Sequence, residues 1–76
     1  MTLKLFTTSY CHLCETAKSI LLSLEQTQHF SQVDISDNDN LIEIYGHRIP
    51  VLQRTDTLAE LNWPFTTNDI MTFLKH

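Results

Sequence analysis

Cys11-His12-Leu13-Cys14 holds the only two cysteines of this 76-residue chain and sets them three positions apart, where an amphipathic pattern begins. On a helix, residues at i and i+3 bring their Cβ atoms to roughly 5–6 Å, so a small backbone adjustment can join the two sulfurs. The pair can open and close, which suits thiol–disulfide exchange. As a staple it would do little, because a bridge across three residues closes too short a loop to remove much entropy from the unfolded chain. Two rivals use the same residues. Zinc could be held by Cys11 and Cys14 together with His12, His29 or His47, although no second ligand pair recurs at regular spacing. Alternatively, the cysteines are small hydrophobes on a buried helix face, with one incidental thiol.

Size and composition bound what can position this pair. Residues 1–76 make one small domain that buries only roughly 60% of the surface of its unfolded chain, so its stability is expected to be marginal. Hydrophobic residues make up 42% and charged residues 18%, a balance that indicates neither disorder nor a membrane-spanning segment. The stretch Met1-Thr-Leu-Lys-Leu-Phe-Thr-Thr alternates apolar with polar residues and lacks a signal peptide's continuous apolar core, so a reducing cytoplasm is the expected compartment. The formal charge is −4 and the five Lys and Arg are scattered, which leaves no basic stripe for nucleic acid or an anionic membrane. Proteins and small thiols are the expected partners, met by a monomer.

Periodicity then supplies the elements. Leu3, Leu5 and Thr7 share one face in alternation with Lys4 and Phe6, which predicts a strand over about Thr2–Thr7. Cys14, Ala17, Ile20, Leu21 and Leu24 recur at three- and four-residue steps, the stripe of a helix running to near Gln28. Cys14 lies on that stripe; Cys11 sits in the first turn, grouped with Glu15 and Lys18 toward solvent. Phe30, Val33 and Ile35 suggest a second strand in which Phe30 is out of step. Ser36 and Asp39 are spaced as a capping box for a short helix through Leu41, Ile42, Ile44 and Tyr45, closed by Gly46 where a residue tolerant of positive φ is wanted. Ile49-Pro50-Val51-Leu52 and Thr57-Leu58-Ala59-Glu60-Leu61 flank a Thr55-Asp56 turn as a hairpin. Thr66 or Thr67 caps a last helix, with Asp69 in its first turn, Lys75 in its last, and Ile70, Met71, Phe73 and Leu74 as its buried face.

The order is β-α-β-α-β-β-α, without internal repeat or linker. A β-α-β unit crosses over right-handed between parallel strands, and the hairpin adds an antiparallel edge. The expected fold is therefore α/β and thioredoxin-like, a four-stranded mixed sheet flanked by three helices. It puts the Cys pair in the loop leaving the carboxyl end of the first strand, where ligand sites of open α/β sheets gather.

Cys11-x-x-Cys14 after the first strand, Arg48-Ile49-Pro50-Val51 before the third, and the element order resemble the glutaredoxins over nearly the whole chain. Tyr10-Cys11-His12-Leu13-Cys14-Glu15 with Tyr45-Gly46-His47-Arg48-Ile49-Pro50-Val51-Leu52 is most similar to the small bacterial glutaredoxin-like proteins. The resemblance implies a thiol–disulfide oxidoreductase acting on protein or glutathione mixed disulfides. In it Cys11 is the attacking thiol, Cys14 the resolving thiol, and a cis Ile49-Pro50 bond faces them. No bound cofactor and no metal are expected, the second ligand pair being absent, and an external thiol, glutathione among the candidates, is the expected reductant. Tyr10, Arg48, Ile49, Pro50, Thr67 and Asp69 are the substrate-binding candidates, and Trp63-Pro64-Phe65 a further rim or core.

The chain departs from the glutaredoxin pattern twice. Asn62-Trp63-Pro64-Phe65-Thr66-Thr67-Asn68-Asp69 stands where a Gly-Gly-Asp-like turn receives glutathione, so backbone cannot approach a ligand as closely there, and Thr7-Thr8-Ser9 replaces a lysine before the first cysteine. Arg48 and the start of the last helix remain to hold a carboxylate.

Thiolate, not thiol, attacks a disulfide. Unpaired amides and the macrodipole of a helix N-terminus favour an anion at Cys11 by about 0.3–1 kcal/mol when exposed and about 2 kcal/mol when partly buried. His12 adds attraction when protonated; Glu15, four residues on, opposes by only roughly 0.2–0.5 kcal/mol. The helix terminus is expected to win. The alternative from a different class is a non-enzymatic thioredoxin-fold binding module with incidental thiols.

Overall fold

A computed structural model describes residues 2–27 and 29–75. The elements are β1 (Leu3–Thr7), α1 (His12–Ser23), a 3-10 turn (Glu25–Thr27), β2 (Phe30–Asp34), α2 (Asp39–Tyr45), β3 (Val51–Arg54), β4 (Glu60–Asn62) and α3 (Thr67–Leu74). The sheet order is β2-β1-β3-β4. β1 runs parallel to β2, with Leu3 opposite Phe30, and antiparallel to β3, with Leu5 opposite Leu52. β4 closes the edge antiparallel to β3. This is the thioredoxin-like arrangement that the element order predicts.

β1 is apolar on both faces because both are covered. Leu3 and Leu5 pack with Leu52 against Ala17 and Leu21 of α1 and Ile70 of α3. Phe6 and Val51, on the other face, pack with Ile35 and Tyr45 of α2. The Phe6 and Tyr45 rings stack with centroids 4.2 Å apart. Phe30 is out of step for the same reason: it joins the first core while Val33 joins the second. No helix among the described residues is long and apolar enough to cross a membrane.

Several boundaries differ from expectation. α1 stops at Ser23, short of Gln28, which lies outside the described residues. Leu24 turns extended, and the fully buried Thr27 donates its hydroxyl to Leu21 O at 2.7 Å, occupying a carbonyl that a further helical turn would have used. α2 is capped by Asn38, whose side chain accepts from Leu41 N, and not by a Ser36–Asp39 box. The Ser36 amide instead donates to Asp34 Oδ1 at the end of β2. Gly46 is right-handed, with φ −53°, so positive φ is not its reason; a Cβ there would run into the Ile42 carbonyl oxygen. Tyr10 and Leu58, each with φ 62°, are the left-handed residues. β4 begins only at Glu60, with Thr57–Ala59 in the loop.

At α3, Thr66 and Asp69 form the reciprocal capping box. Ile70 is fully buried, Phe73 and Leu74 are partly buried, and Met71 is half-buried outside the core cluster. Lys75 is the C-cap residue and not part of the last turn. The cation at that end comes from β3: Arg54, buried, donates to Phe73 O at 3.0 Å and holds Asp56 through two bonds of 3.0 and 2.7 Å. That contact lowers the Asp56 carboxyl to about 2.

Candidate functional site

Thr7 ends β1, Thr8 and Ser9 follow in the loop, and Tyr10 then adopts a left-handed conformation that turns the chain toward α1 and leaves its side chain wholly exposed. Cys11 follows in extended conformation as the N-cap of α1. Its Sγ accepts from Cys14 N at 3.2 Å, taking the place that a Ser or Asp oxygen usually fills. The Cys11 carbonyl accepts the first helical bond, from Glu15 N at 3.1 Å. The two cysteines are joined as a disulfide, with Cα atoms 5.2 Å apart. They are unequal: Cys14 is buried at 3% exposure on the α1 stripe, whereas Cys11 is partly exposed. An outer sulfur over helix amides and an inner sulfur beneath it form a pair in which one is open to attack and the other is shielded.

The neighbours fall into two separate depressions. Tyr10, Cys11, His12 and Glu15 line one. Leu13, His47, Arg48, Ile49, Asn62 and Trp63 line the other, a groove of about 370 Å³. The Ile49-Pro50 bond is cis, with Ile49 in the groove lining and Pro50 buried; the Trp63-Pro64 bond is cis as well. Thr67 and Asp69 are exposed and line neither depression. The Asp69 carboxylate accepts from Thr66 N at 2.8 Å, so α3 caps itself. Of the aromatics, Phe65 is core, Trp63 stands against it edge-on at 5.0 Å in the groove wall, and Tyr10 is rim. Among the described residues no three His, Cys, Asp or Glu side chains cluster as a metal-ligand set.

Arg48 is less free than its position in the sequence suggests. Its Nη2 donates to Glu60 Oε1 at 2.6 Å and to Asn62 Oδ1 at 3.0 Å, and its guanidinium lies 5.2 Å from the Tyr45 ring centroid. Glu60 Oε2 accepts from Tyr45 Oη at 2.5 Å and from Gln53 Nε2 at 3.3 Å. Burial pushes the Tyr45 hydroxyl up, and the adjoining Glu60 carboxylate raises it further. Burial also pushes the Glu60 carboxyl up, but the bonds from Tyr45 and Arg48 outweigh it and hold the group below its ordinary value. Sequence reasoning missed Glu60 and Asn62 as site residues and weighed His47 only as a zinc ligand. One signal was available: a tyrosine on the apolar stripe of α2 must find a partner for its hydroxyl.

Comparison with known proteins agrees with this geometry. The model of the glutaredoxin-like domain matches residues 2–75. The chain is similar to the structural-genomics target XcR50 of X. campestris, whose X-ray structure is 34% identical with a TM-score of 0.85 over 96% of this chain and 95% of that one. Protein Ne2328 of Nitrosomonas europaea is 25% identical, with a TM-score of 0.80 over 95% and 88% of the two chains. A malarial protein, 22% identical with a TM-score of 0.62, shares the fold. No curated protein matches significantly. With the match running through both cysteines and the cis Pro50, the chain belongs to the glutaredoxin-like family.

Proposed function

We propose that this chain is a thiol–disulfide oxidoreductase that works by dithiol exchange. The observation that carries the reading is the placement of Cys11 Sγ as the cap of α1, 3.2 Å from an amide, with Cys14 joined to it from the buried side. A backbone N–H aimed at the sulfur and the positive end of the helix favour the thiolate.

In the reduced protein the Cys11 thiolate attacks one sulfur of a target disulfide. A bond forms between Cys11 and that sulfur, the target's own S–S bond breaks, and the other target sulfur leaves as a thiolate that takes up a proton. Cys14, having lost its proton, attacks Cys11 Sγ and displaces the second target thiol. The target gains two electrons, and the chain is left in the disulfide form seen here until an external thiol reduces it. Burial of Cys14 supports its role as the resolving thiol, since it can reach Cys11 but not a bulky substrate. His12 and Glu15 flank the sulfur and set the local charge. Ile49, preceding the cis proline, donates its amide to Tyr45 O at 3.0 Å and so offers its carbonyl to an extended target. Glutathione is a candidate reductant, and a cytoplasmic location suits a pair that must be reduced to act.

The test is exchange with a chromogenic disulfide. Cys11→Ser is expected to abolish turnover, and Cys14→Ser to accumulate a mixed disulfide visible by mass. An active Cys11→Ser protein overturns the assignment and favours a binding module.

A further inference from the structure

We infer that the site selects disulfides of polypeptides whose segment beside the reacting cysteine is apolar and uncharged, and disfavours carboxylate-bearing thiols of the glutathione type. This inference rests on the exchange activity proposed above. Apolar side chains stand next to the sulfurs in the chain: Tyr10 is wholly exposed and Leu13 is 48% exposed, and Leu13 shares its groove with Ile49 and Trp63 as well as with His47, Arg48 and Asn62. Large apolar side chains held in water beside a reactive sulfur lower their free energy when a partner covers them.

The charges oppose the alternative. Arg48 is the one permanent cation lining the groove, and Glu60 neutralises it at 2.6 Å while Asn62 and the Tyr45 ring hold its guanidinium in place. A substrate carboxylate approaching Arg48 meets the Glu60 charge as well. His47 also lines this groove, and His12 the other depression. On the Cys11 side the fixed charge is Glu15, with Asp34 beyond it in the adjoining hollow. The N-terminus of α3, the other place where a carboxylate could be received, already carries the chain's own negative charge: Asp69 accepts from Thr66 N at 2.8 Å. Glutathione brings two carboxylates; a polypeptide segment brings amide bonds and side chains that Asn62, His47 and the carbonyl of Ile49 can meet.

The test is single-turnover reduction by the pre-reduced chain of three mixed disulfides that share 4-thiopyridine as leaving group. Their other halves are an N-acetylated, C-amidated peptide with leucines flanking cysteine, the same peptide with glutamates in place of the leucines, and glutathione. Each rate is divided by that of dithiothreitol with the same substrate, which removes intrinsic reactivity. The leucine peptide is expected to exceed the other two by roughly 2- to 30-fold, the effect of one or two exposed charge pairs. Glu60→Gln, which releases the Arg48 charge, is expected to narrow that preference by ~2- to 5-fold. Glutathione or glutamate-peptide rates equal to or above the leucine-peptide rate overturn the inference, as does a preference unmoved by Glu60→Gln. If no substrate reacts faster with the chain than with its Cys11→Ser variant, the exchange reading itself fails, and the two failures are told apart.

Discussion

The cap position of Cys11 makes a quantitative expectation. Replacing Cys14 by Ser leaves Cys11 as the lone thiol and keeps the backbone amide of residue 14, which lies 3.2 Å from the sulfur. For a partly buried anion at a helix N-terminus the stabilisation runs from ~0.3 to ~2 kcal/mol, so at a pH below the titration midpoint the thiolate is ~2- to 30-fold more populated than in an ordinary cysteine. The partial burial of Cys11 argues for the upper half of that range. The assay is the pH dependence of alkylation by iodoacetamide in the folded Cys14→Ser protein, with the same chain unfolded in guanidinium as its own reference. The folded midpoint is expected to lie below the unfolded one. Adding Glu15→Gln removes a like charge four residues along and is expected to raise the thiolate fraction by a further ~1.4- to 2.3-fold. Coincident folded and unfolded midpoints would show that the amide does not stabilise the anion and would refute the reasoning. A larger effect from Glu15 than from folding would reverse the weights given to the two charges.

Three further outcomes follow from the fold. The folded Asp56 carboxyl titrates at about 2 against an ordinary 3.8 because Arg54 grips it, so its contribution is complete above the ordinary value and is lost as pH falls through the folded one. The stability gap between wild type and Asp56→Asn, read from urea midpoints, is expected to shrink over that window; a gap independent of pH would contradict it. Leu58 is held at φ 62° and is 67% exposed, so its side chain contributes little while its Cβ opposes the left-handed backbone. Leu58→Asn is expected to raise the melting midpoint by ~2–8 °C, from a gain of ~0.5–1 kcal/mol, and a lowered midpoint would count against it. Thr27→Val keeps the shape but removes the 2.7 Å bond to Leu21 O, and is expected to cost ~0.5–1.5 kcal/mol by chemical denaturation. Unchanged stability would mean that the hydroxyl does not hold the end of α1.

The element order, the Cys pair at a helix start and a threonine cap for α3 at residue 66 or 67 were legible in the sequence because each depends on residues a few positions apart, where periodicity and spacing act directly. Even so, local information ran out quickly. Ser36, Asp37, Asn38 and Asp39 can all cap a helix, and the choice of Asn38 was made by where β2 ends, with Ile35 N bound to Thr7 O of β1 and Ser36 N turned back to Asp34. The end of α1 was likewise set by Thr27 reaching back six residues to Leu21. What the groove offers a substrate was decided by tertiary structure alone. Arg48 reads as a solvent-exposed charge until the pairing of β4 with β3 brings Glu60 to it across twelve residues and Asn62 across fourteen. Helix stripes and strand alternation say which way a side chain points; which charge it meets depends on chain segments that only the closed sheet makes neighbours.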